Sequence, residues 1–353
     1  MRTIKSRRMM LLATLGLAAA IGAGAAQAAD CPAVADPVVT VSHGSRYTDD
    51  SKTRSDFDAE GEAEIEAALG PIDDFIVDLA NLSNRALGKA GEEKPDEATE
   101  AADCLLDAIA LWAAGDALTE IDTLNAKLSI PSRVGGIAIA YANALQLASD
   151  DPARKDVIEA WLAARAAEIV AFFDGDEVPP NASRNNLRAW AGLAVTRIGL
   201  TLDDSNLVIW GTETAREMIC ASNPDGSLPL EMGRGPLALH YQIHAVGPLV
   251  MTAALLAPTG VSLADECDAG LSRIIDFTLA AVDDPALAAS HAGEEQSFKP
   301  GAATLKPFEI AWLAPWLSLE PSDSVAKFAD QFDNFSNSKL GGDLTLIWPM
   351  ATD

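Results

Sequence analysis

The sequence predicts an all-α protein whose antiparallel helical hairpins form an α/α toroid. Past residue 60, Ala, Leu and Ile recur at spacings of three and four residues, which is the period of a half-buried helix, while the alternation typical of strands is scarce. The breaks between these segments are short and carry Gly, Pro, Asp or Asn. Because no long linker or shift in composition divides the 353 residues, we expect one domain over 29–353.

The clearest predicted helix spans 152–174. Asp151 offers an N-cap, and Pro152 suits the first helical turn. Trp112 and Trp161 fall on apolar helix faces, so we assign both to the core. The same signals give roughly ten helices in all, and the other segments lie near residues 71–88, 97–114, 131–148, 183–199, 205–222, 236–256, 262–282 and 305–318.

Residues 1–28 are typical of a secretory signal peptide. Four basic residues precede an apolar run over 11–25, and Ala26-Gln27-Ala28 forms a small-x-small cleavage site. A transmembrane anchor is the alternative, but the run is short and rich in Ala and Gly. The adjacent Arg7 and Arg8 leave both Sec and twin-arginine export open. We therefore expect a periplasmic or secreted protein with no membrane anchor after cleavage.

The charge balance limits the classes of partner. The net charge of −27 becomes −31 once the four basic residues of 1–28 are removed, since that segment holds no acidic residue. A chain this acidic is not a nucleic-acid binder by bulk electrostatics, because neutralising phosphates requires Lys and Arg. If the substrate is an anion, basic residues must be gathered locally in a cleft.

The four cysteines are Cys31, Cys104, Cys220 and Cys267. An even number in an exported chain indicates two disulfides. Three pairings are possible, and the pairing of Cys31 with Cys104 and of Cys220 with Cys267 closes the shorter loops. The cysteines form no CxxC pair and have no histidine partner, so we expect no metal site.

Residues 37–59 differ from the rest of the chain. They are polar, lack a helical period and hold Arg46, Tyr47, Lys52 and Arg54. One interpretation is a disordered N-terminal extension. The other is a mobile lid, over about 42–59, that closes over a groove.

A group of scarce side chains lies in the apolar stretch 225–249. Arg234 precedes a predicted helix start, and His240, Tyr241 and His244 follow within it. His240 and His244 are i,i+4 neighbours, and Tyr241 lies three residues before His244, so a phenol and two imidazoles can face one region. The nearby helix N-terminus favours an anion. The alternative is that these are hydrogen-bonded core residues.

A second polar group lies at the start of the predicted helix 183–199. It holds Asn185, Asn186 and Arg188, followed by Trp190. Helix capping by Asn181 or Ser183, with solvated arginines, explains part of the stretch. Capping by those residues does not explain two adjacent asparagines in the first turns, where Asn is a mediocre helix former.

Three stretches together resemble the alginate lyases of polysaccharide lyase family five: Asn185-Asn186-x-x-x-Trp190, Asp225-Gly226-Ser227-Leu228-Pro229-Leu230-Glu231, and Arg234 with Ala238-Leu239-His240-Tyr241. Ser45-Arg46-Tyr47 is similar to the lid motif of that family, and Cys31 with Cys104 is similar to its N-terminal disulfide. The likeness spans most of the mature chain, and its most specific part is 225–241.

The resemblance implies an incomplete α/α toroid that cleaves a polyuronate by β-elimination without a metal or organic cofactor. Tyr241 would remove the proton at C5 of a uronate and return one to the leaving oxygen. Arg234 and Asn186 would neutralise the adjacent carboxylate through charge-assisted hydrogen bonds. Arg184 would add to the local positive field, and Tyr47 and Trp190 would stack on sugar faces. The substrate-binding residues would be Asn185, Arg188, Trp190, Arg46, Tyr47, His240 and His244.

One position departs from the family pattern. The family has Asn-Asn-His, and here the third position is Leu187, which can neither donate a hydrogen bond nor move a proton. Either Tyr241 suffices for a syn elimination, or His240, His244 or Arg188 replaces the histidine. The third outcome is an enzyme inactive on ordinary alginate, acting on another polyuronate or only binding it.

Four functions remain open at this point. We expect a monomeric lyase whose partner is an anionic polysaccharide and not a nucleic acid. A periplasmic polyuronate-binding protein on the same scaffold is the first alternative. A glycoside hydrolase would need two opposed carboxylates, for which Asp225 and Glu231 are candidates. A purely structural helical scaffold is the last alternative.

Overall fold

The computed structural model describes residues 31–350, so the predicted signal peptide over 1–28 lies outside the described part of the chain. Within 31–350 the protein is mainly helical. The helices are α1 Ala59–Gly91, α2 Pro95–Ala114, α3 Leu124–Leu145, α4 Pro152–Phe173, α5 Asn186–Leu202, α6 Ser205–Cys220, α7 Pro229–Met232, α8 Ala238–Leu256, α9 Glu266–Asp283, α10 Ala286–Ala292, α11 Pro307–Ile310, α12 Leu313–Leu319 and α13 Asp323–Ala329.

The helices pack as hairpins around two large hydrophobic clusters and a third, smaller one. Consecutive helices such as α1 with α2 and α5 with α6 contact each other across short connections, which makes them antiparallel. Helix α5 is central, because it contacts α3, α4, α6 and α8. The first cluster is built from α1 to α5 and the second mainly from α6, α8, α9 and α12. Trp112 and Trp161 are buried in the first cluster, as predicted.

Two helices begin earlier than the sequence signals predict. Helix α1 begins at Ala59 and α3 at Leu124, whereas the predicted starts were the proline positions Pro71 and Pro131. An interior proline costs about 3 kcal/mol, because it removes one backbone hydrogen bond. Each of these long helices buries a continuous apolar face that outweighs this cost. The true N-caps are Asp58 and Thr123, whose side chains accept backbone N–H hydrogen bonds.

The N-terminal segment makes defined contacts with the helical body. Strand β1 Thr40–Val41 pairs in parallel with β2 Glu120–Ile121, in the register Thr40 with Glu120. Beyond β1 the chain turns back on itself, and Tyr47 and Phe57 form an isolated antiparallel bridge. Near the C-terminus, β3 Ser336–Asn337 and β4 Gly342–Asp343 form a short antiparallel pair around a 3₁₀ turn at Ser338–Leu340.

Helix α8 forms the centre of the second cluster. The stretch Gly235–Thr259 is long and apolar enough to cross a membrane, yet 72 % of its most apolar window is buried inside the protein. It is therefore the core helix that carries His240, Tyr241 and His244.

Both predicted disulfides are confirmed. Cys31 bonds to Cys104, which ties the N-terminal segment to α2, and Cys220 bonds to Cys267. Residues 31–350 contain no free cysteine.

Removing the first disulfide is expected to destabilise the protein by about 4 kcal/mol, because a cross-link over a sequence separation of 73 residues restricts the unfolded chain. The change is the double substitution Cys31→Ser with Cys104→Ser, and the measurement is urea unfolding. The matched comparison is Cys220→Ser with Cys267→Ser, whose separation of 47 residues predicts a slightly smaller loss. A loss below about 1 kcal/mol for the first pair would contradict this account.

Candidate active site

A glycine turn positions Arg234 against the start of α8. Gly235 has φ of +55°, which L side chains rarely adopt, and a Cβ there would lie 3.2 Å from Thr53. The backbone then forms a 3₁₀ turn over Gly235–Leu237 and enters α8. The turn therefore leaves Arg234 beside the first residues of α8 and the N-terminal segment.

The three ring side chains of α8 lie together, as the sequence predicts. The ring centroids of His240 and Tyr241 are 5.1 Å apart, those of Tyr241 and His244 are 6.4 Å apart, and those of His240 and His244 are 6.5 Å apart. His240 is nearly half-exposed, and its Nδ1 lies 4.0 Å from Glu309 Oε1. Partial loss of solvent around the ring, followed by the charge of Arg234, lowers the pKa of His240.

Arg234 connects Tyr241 to the N-terminal segment. Its guanidinium carbon lies 3.6 Å from the centroid of the Tyr241 ring. Its Nε donates to the Thr53 carbonyl at 3.0 Å, and its Nη2 donates to the Arg54 carbonyl at 2.8 Å. The same Nη2 donates to Tyr47 Oη at 3.3 Å. Arg234 thus contacts the Tyr241 ring and also fastens the N-terminal segment beside that ring.

Tyr47 covers the hydroxyl of Tyr241. The two phenol oxygens are hydrogen-bonded to each other, and Tyr47 is only 8 % exposed. Burial, followed by the neighbouring Tyr241, raises the pKa of Tyr47, so Tyr47 keeps its proton. The Arg54 guanidinium carbon lies 5.3 Å from the centroid of the Tyr47 ring. The segment around Tyr47 therefore closes the site above Tyr241.

The two adjacent asparagines have different partners. Asn185 is the N-cap of α5, and its Oδ1 accepts from the Leu187 N–H at 3.0 Å. Asn186 is buried, and its backbone N–H and Nδ2 donate to the two carboxylate oxygens of Glu231, at 2.7 and 2.9 Å. The Asn186 Oδ1 is buried without a hydrogen-bond partner among residues 31–350. The predicted caps Asn181 and Ser183 lie before this helix start.

Glu231 is a residue whose role the sequence did not reveal. It is 0 % exposed, and burial raises its pKa to about 7 against the opposing hydrogen bonds from Asn186 and the charge of Arg234. In the sequence Glu231 is a single carboxylate in the short helix α7, and its hydrogen-bond partner Asn186 lies 45 residues away. Because Glu231 is fully enclosed, it does not face Asp225 across an open groove. Asp225 is instead hydrogen-bonded to His291 and Ser227.

Glu231 is expected to make the stability of the protein fall as pH rises. The unfolded carboxyl releases its proton near pH 4.5 and the folded one only near pH 7, so stability is lost progressively between these values. The loss is on the order of 2–4 kcal/mol. Urea unfolding at pH 5 and pH 8 should show a smaller decline for Glu231→Gln than for the wild type. Parallel pH dependences of the two proteins would contradict the shift.

Trp190 donates a hydrogen bond to His244. The indole Nε1–H bonds to the imidazole Nδ1 at 3.0 Å, and the ring centroids are 5.3 Å apart. Burial, followed by the charge of Lys339, lowers the pKa of His244 to about 3, so this imidazole is neutral. Trp190 is only 5 % exposed, which leaves almost no ring face for a sugar. The prediction that Trp190 stacks on the substrate is therefore corrected to a contact with His244.

Lys339 is a charged residue near His244 that the sequence did not single out. It lies in the 3₁₀ turn Ser338–Leu340, and its Cα would be 3.1 Å from a Cβ placed on Gly136 of α3. Burial, followed by the charge of Arg133, lowers the pKa of Lys339 to about 8. No sequence motif marks this lysine, and its place beside His244 depends on the C-terminal segment folding back over α3 and α8.

The predicted arginines do not all face this region. Arg46 is near enough to act electrostatically on Tyr47, His240 and His244. Arg188 instead donates to the Phe173 carbonyl and to Asp174 and lies over Trp210, so it fastens α5 to the end of α4. The proposed substitution of Arg188 for the motif histidine therefore has no geometric support. Arg184 donates from its Nε to the Pro180 carbonyl within its own loop.

The alginate lyase family model matches residues 45–288 of the chain. The chain belongs to the alginate lyase family. A polysaccharide lyase of Stenotrophomonas maltophilia (strain K279a) is 31 % identical over 343 residues, covering 96 % of this chain and 97 % of that protein. An alginate lyase of Pseudomonas syringae pv. syringae (strain B728a) is 29 % identical over 314 residues, covering 86 % and 81 % respectively.

Solved alginate lyase structures share the fold. Alginate lyase A1-III in complex with a tetrasaccharide superposes with a TM-score of 0.75 at 23 % identity, over 91 % of this chain and 86 % of that one. Alginate lyase A1-III from Sphingomonas species A1 superposes with a TM-score of 0.71 at 24 % identity, over 92 % and 90 %. The predicted α/α toroid is confirmed, and the protein is a polysaccharide lyase of the alginate lyase family.

Proposed function

We propose that this polysaccharide lyase cleaves a polyuronate, such as mannuronan, alginate or a glucuronan-like polymer, by β-elimination at Tyr241. The observation that carries the proposal is the guanidinium of Arg234 held 3.6 Å from the Tyr241 ring centroid, at the start of a helix. A cation at this place attracts a uronate carboxylate to the side of the phenol.

The elimination needs one base and one neutralised carboxylate. The Tyr241 phenolate removes the C5 proton, the C5–H electrons form the C4=C5 double bond, and the C4–O bond breaks. The phenol then returns the proton to the leaving oxygen, so Tyr241 ends as a phenolate. Arg234 offers its guanidinium to the carboxylate, and Asn186 offers the Nδ2 N–H that does not bond to Glu231.

The N-terminal segment over about 42–59 acts as the lid in this proposal. In the structure the segment is closed, because Arg234 donates hydrogen bonds to the Thr53 and Arg54 carbonyls and the Tyr47 hydroxyl is hydrogen-bonded to that of Tyr241. A polymer must displace Tyr47 from Tyr241 before the C5 proton can reach the phenol oxygen. Arg46 and Tyr47 would then contact the bound sugar.

Export to the periplasm or cell exterior is part of the same proposal. Two disulfides are compatible with an oxidising compartment, and an extended polymer is accessible outside the cytoplasm. The signal peptide, Sec or twin-arginine, would be removed before the mature monomer acts.

The test is to incubate the mature chain with a panel of polyuronates and to follow ultraviolet absorbance and new reducing ends together. Both are expected to rise on at least one polymer, because elimination creates a double bond conjugated to the carboxylate. New reducing ends without absorbance would indicate hydrolysis instead. Binding without either signal would favour the polyuronate-binding protein, which the leucine at position 187 keeps as the second candidate.

A further inference from the structure

Leu187 leaves the proposed site without the third polar residue of the Asn-Asn-His pattern. The leucine is half-buried and packs against the first hydrophobic cluster. Its side chain offers no hydrogen-bond donor to a substrate. A third donor for the uronate, beside Arg234 and Asn186, must therefore come from another position.

His244 has the geometry of a fixed donor. An indole N–H can only donate, so the 3.0 Å bond from Trp190 requires an unprotonated Nδ1 on His244. A neutral imidazole with a bare Nδ1 carries its proton on Nε2. Trp190 thus selects one tautomer and directs the Nε2–H away from itself.

The surroundings of His244 keep this tautomer neutral. The charged or titratable groups that act on it are Lys339, His240, Arg46 and Arg234, and all of them disfavour an imidazolium. The charge distribution and the indole hydrogen bond therefore favour the same form. His244 suits hydrogen-bond donation and does not suit proton removal from carbon.

Fixed orientation favours His244 over the other two candidates. The ring centroids of His240 and His244 lie 5.1 and 6.4 Å from that of Tyr241, so distance alone does not separate the two histidines. Trp190 lies about one helical turn after Leu187 on α5. Its hydrogen bond to His244 therefore holds His244 against the helix on which Leu187 replaces the motif histidine. His240 is nearly half-exposed and has only a 4.0 Å approach to Glu309 to orient it, and Arg188 is bonded to Asp174.

We infer that His244 replaces the motif histidine, with its Nε2–H donating to the uronate carboxylate beside Tyr241, and that Trp190 is its positioning residue. The inference rests on the proposed function. As the C5 proton leaves, negative charge builds up on the carboxylate oxygens, so a fixed donor there binds the transition state more strongly than the ground state. His244 donates without losing its proton, and the proton balance of the elimination is unchanged.

The first experiment compares kcat and KM of the wild type, His244→Ala and His244→Gln on the polymer that gives unsaturated product. His244→Ala is expected to lower kcat by about 10²–10³-fold with little change in KM, as for loss of one transition-state donor. His244→Gln retains an amide N–H near the Nε2 position and should recover part of the loss. His291→Gln, which alters a histidine outside the site, is the matched control.

A rescue experiment tests replacement directly. Leu187→His introduced into the His244→Ala protein is expected to restore kcat by about tenfold or more, because either imidazole would serve the same carboxylate. Full activity of His244→Ala in an otherwise productive enzyme would overturn the inference while leaving the proposed function intact. No unsaturated product from the folded wild type would overturn both.

The positioning role has a readout that does not depend on turnover. In nitrogen-15 NMR, His244 should appear as the pure Nε2–H tautomer. Trp190→Phe should introduce the second tautomer. It should also lower kcat by about 10- to 100-fold, the range known for loss of a hydrogen bond that orients a metal-ligating histidine. Trp161→Phe loses a comparable buried indole bond, to the Ala117 carbonyl, and is the control. An unchanged His244 tautomer in Trp190→Phe would overturn the positioning role.

Discussion

Tyr241→Phe is expected to reduce formation of unsaturated product by about 10³-fold or more, since the variant lacks the only oxygen proposed to take and return the proton. The ring, its packing against His240 and its contact with the Arg234 guanidinium are all retained. The free energy of unfolding should therefore change by no more than about 1 kcal/mol, the value of the lost hydrogen bond to Tyr47.

The measurement is the initial rate of absorbance increase, with polymer binding measured in parallel. Tyr141→Phe is the control, because it also removes a tyrosine hydroxyl, but one that bonds to Glu159 on α4. If Tyr241→Phe binds and cleaves polymer at the wild-type rate, Tyr241 is not the base and the elimination mechanism proposed here is wrong.

Arg234→Lys is expected to lower kcat/KM by about 10²–10³-fold although the positive charge is kept. A lysine ammonium is too compact to contact the Tyr241 ring and at the same time bond to the Thr53 and Arg54 carbonyls and to Tyr47. The substitution should therefore weaken carboxylate binding and also loosen the segment over 45–57.

Two measurements separate these effects. Steady-state kinetics report the loss on the polymer, and hydrogen exchange of the amides in 45–57 should become faster in Arg234→Lys. Arg216→Lys is the control, because Arg216 bonds to Glu213 and Glu266 on the far elements α6 and α9. Unchanged exchange in 45–57 would show that Arg234 does not hold the lid, and unchanged kinetics would remove it from the catalytic group.

The sequence was most informative where a site is local to one element. His240, Tyr241 and His244 share one region because i,i+3 and i,i+4 neighbours on any helix do so, whatever packs around them. Helix boundaries were less reliable at Pro71 and Pro131, where a proline marked a helix interior instead of a start.

The sequence was least informative for side chains whose partners lie on another element. Arg188 and Trp190 were both assigned to the substrate, yet Arg188 bonds to Asp174 and Trp190 to His244. The helical period predicts that such residues lie on some face, but which neighbour that face meets depends on how α5 packs against α4 and α8.

The sequence by itself determined the helical toroid, the two disulfides, the family and the group on α8, because periodicity and motif spacing are properties of the chain alone. Only the tertiary structure paired Asn186 with Glu231, Trp190 with His244 and Tyr47 with Tyr241. These partners are 45, 54 and 194 residues apart. Residues so far apart in the chain come within hydrogen-bond distance through the packing of the helices, so the geometry of these bonds is decided by packing and not by any local pattern.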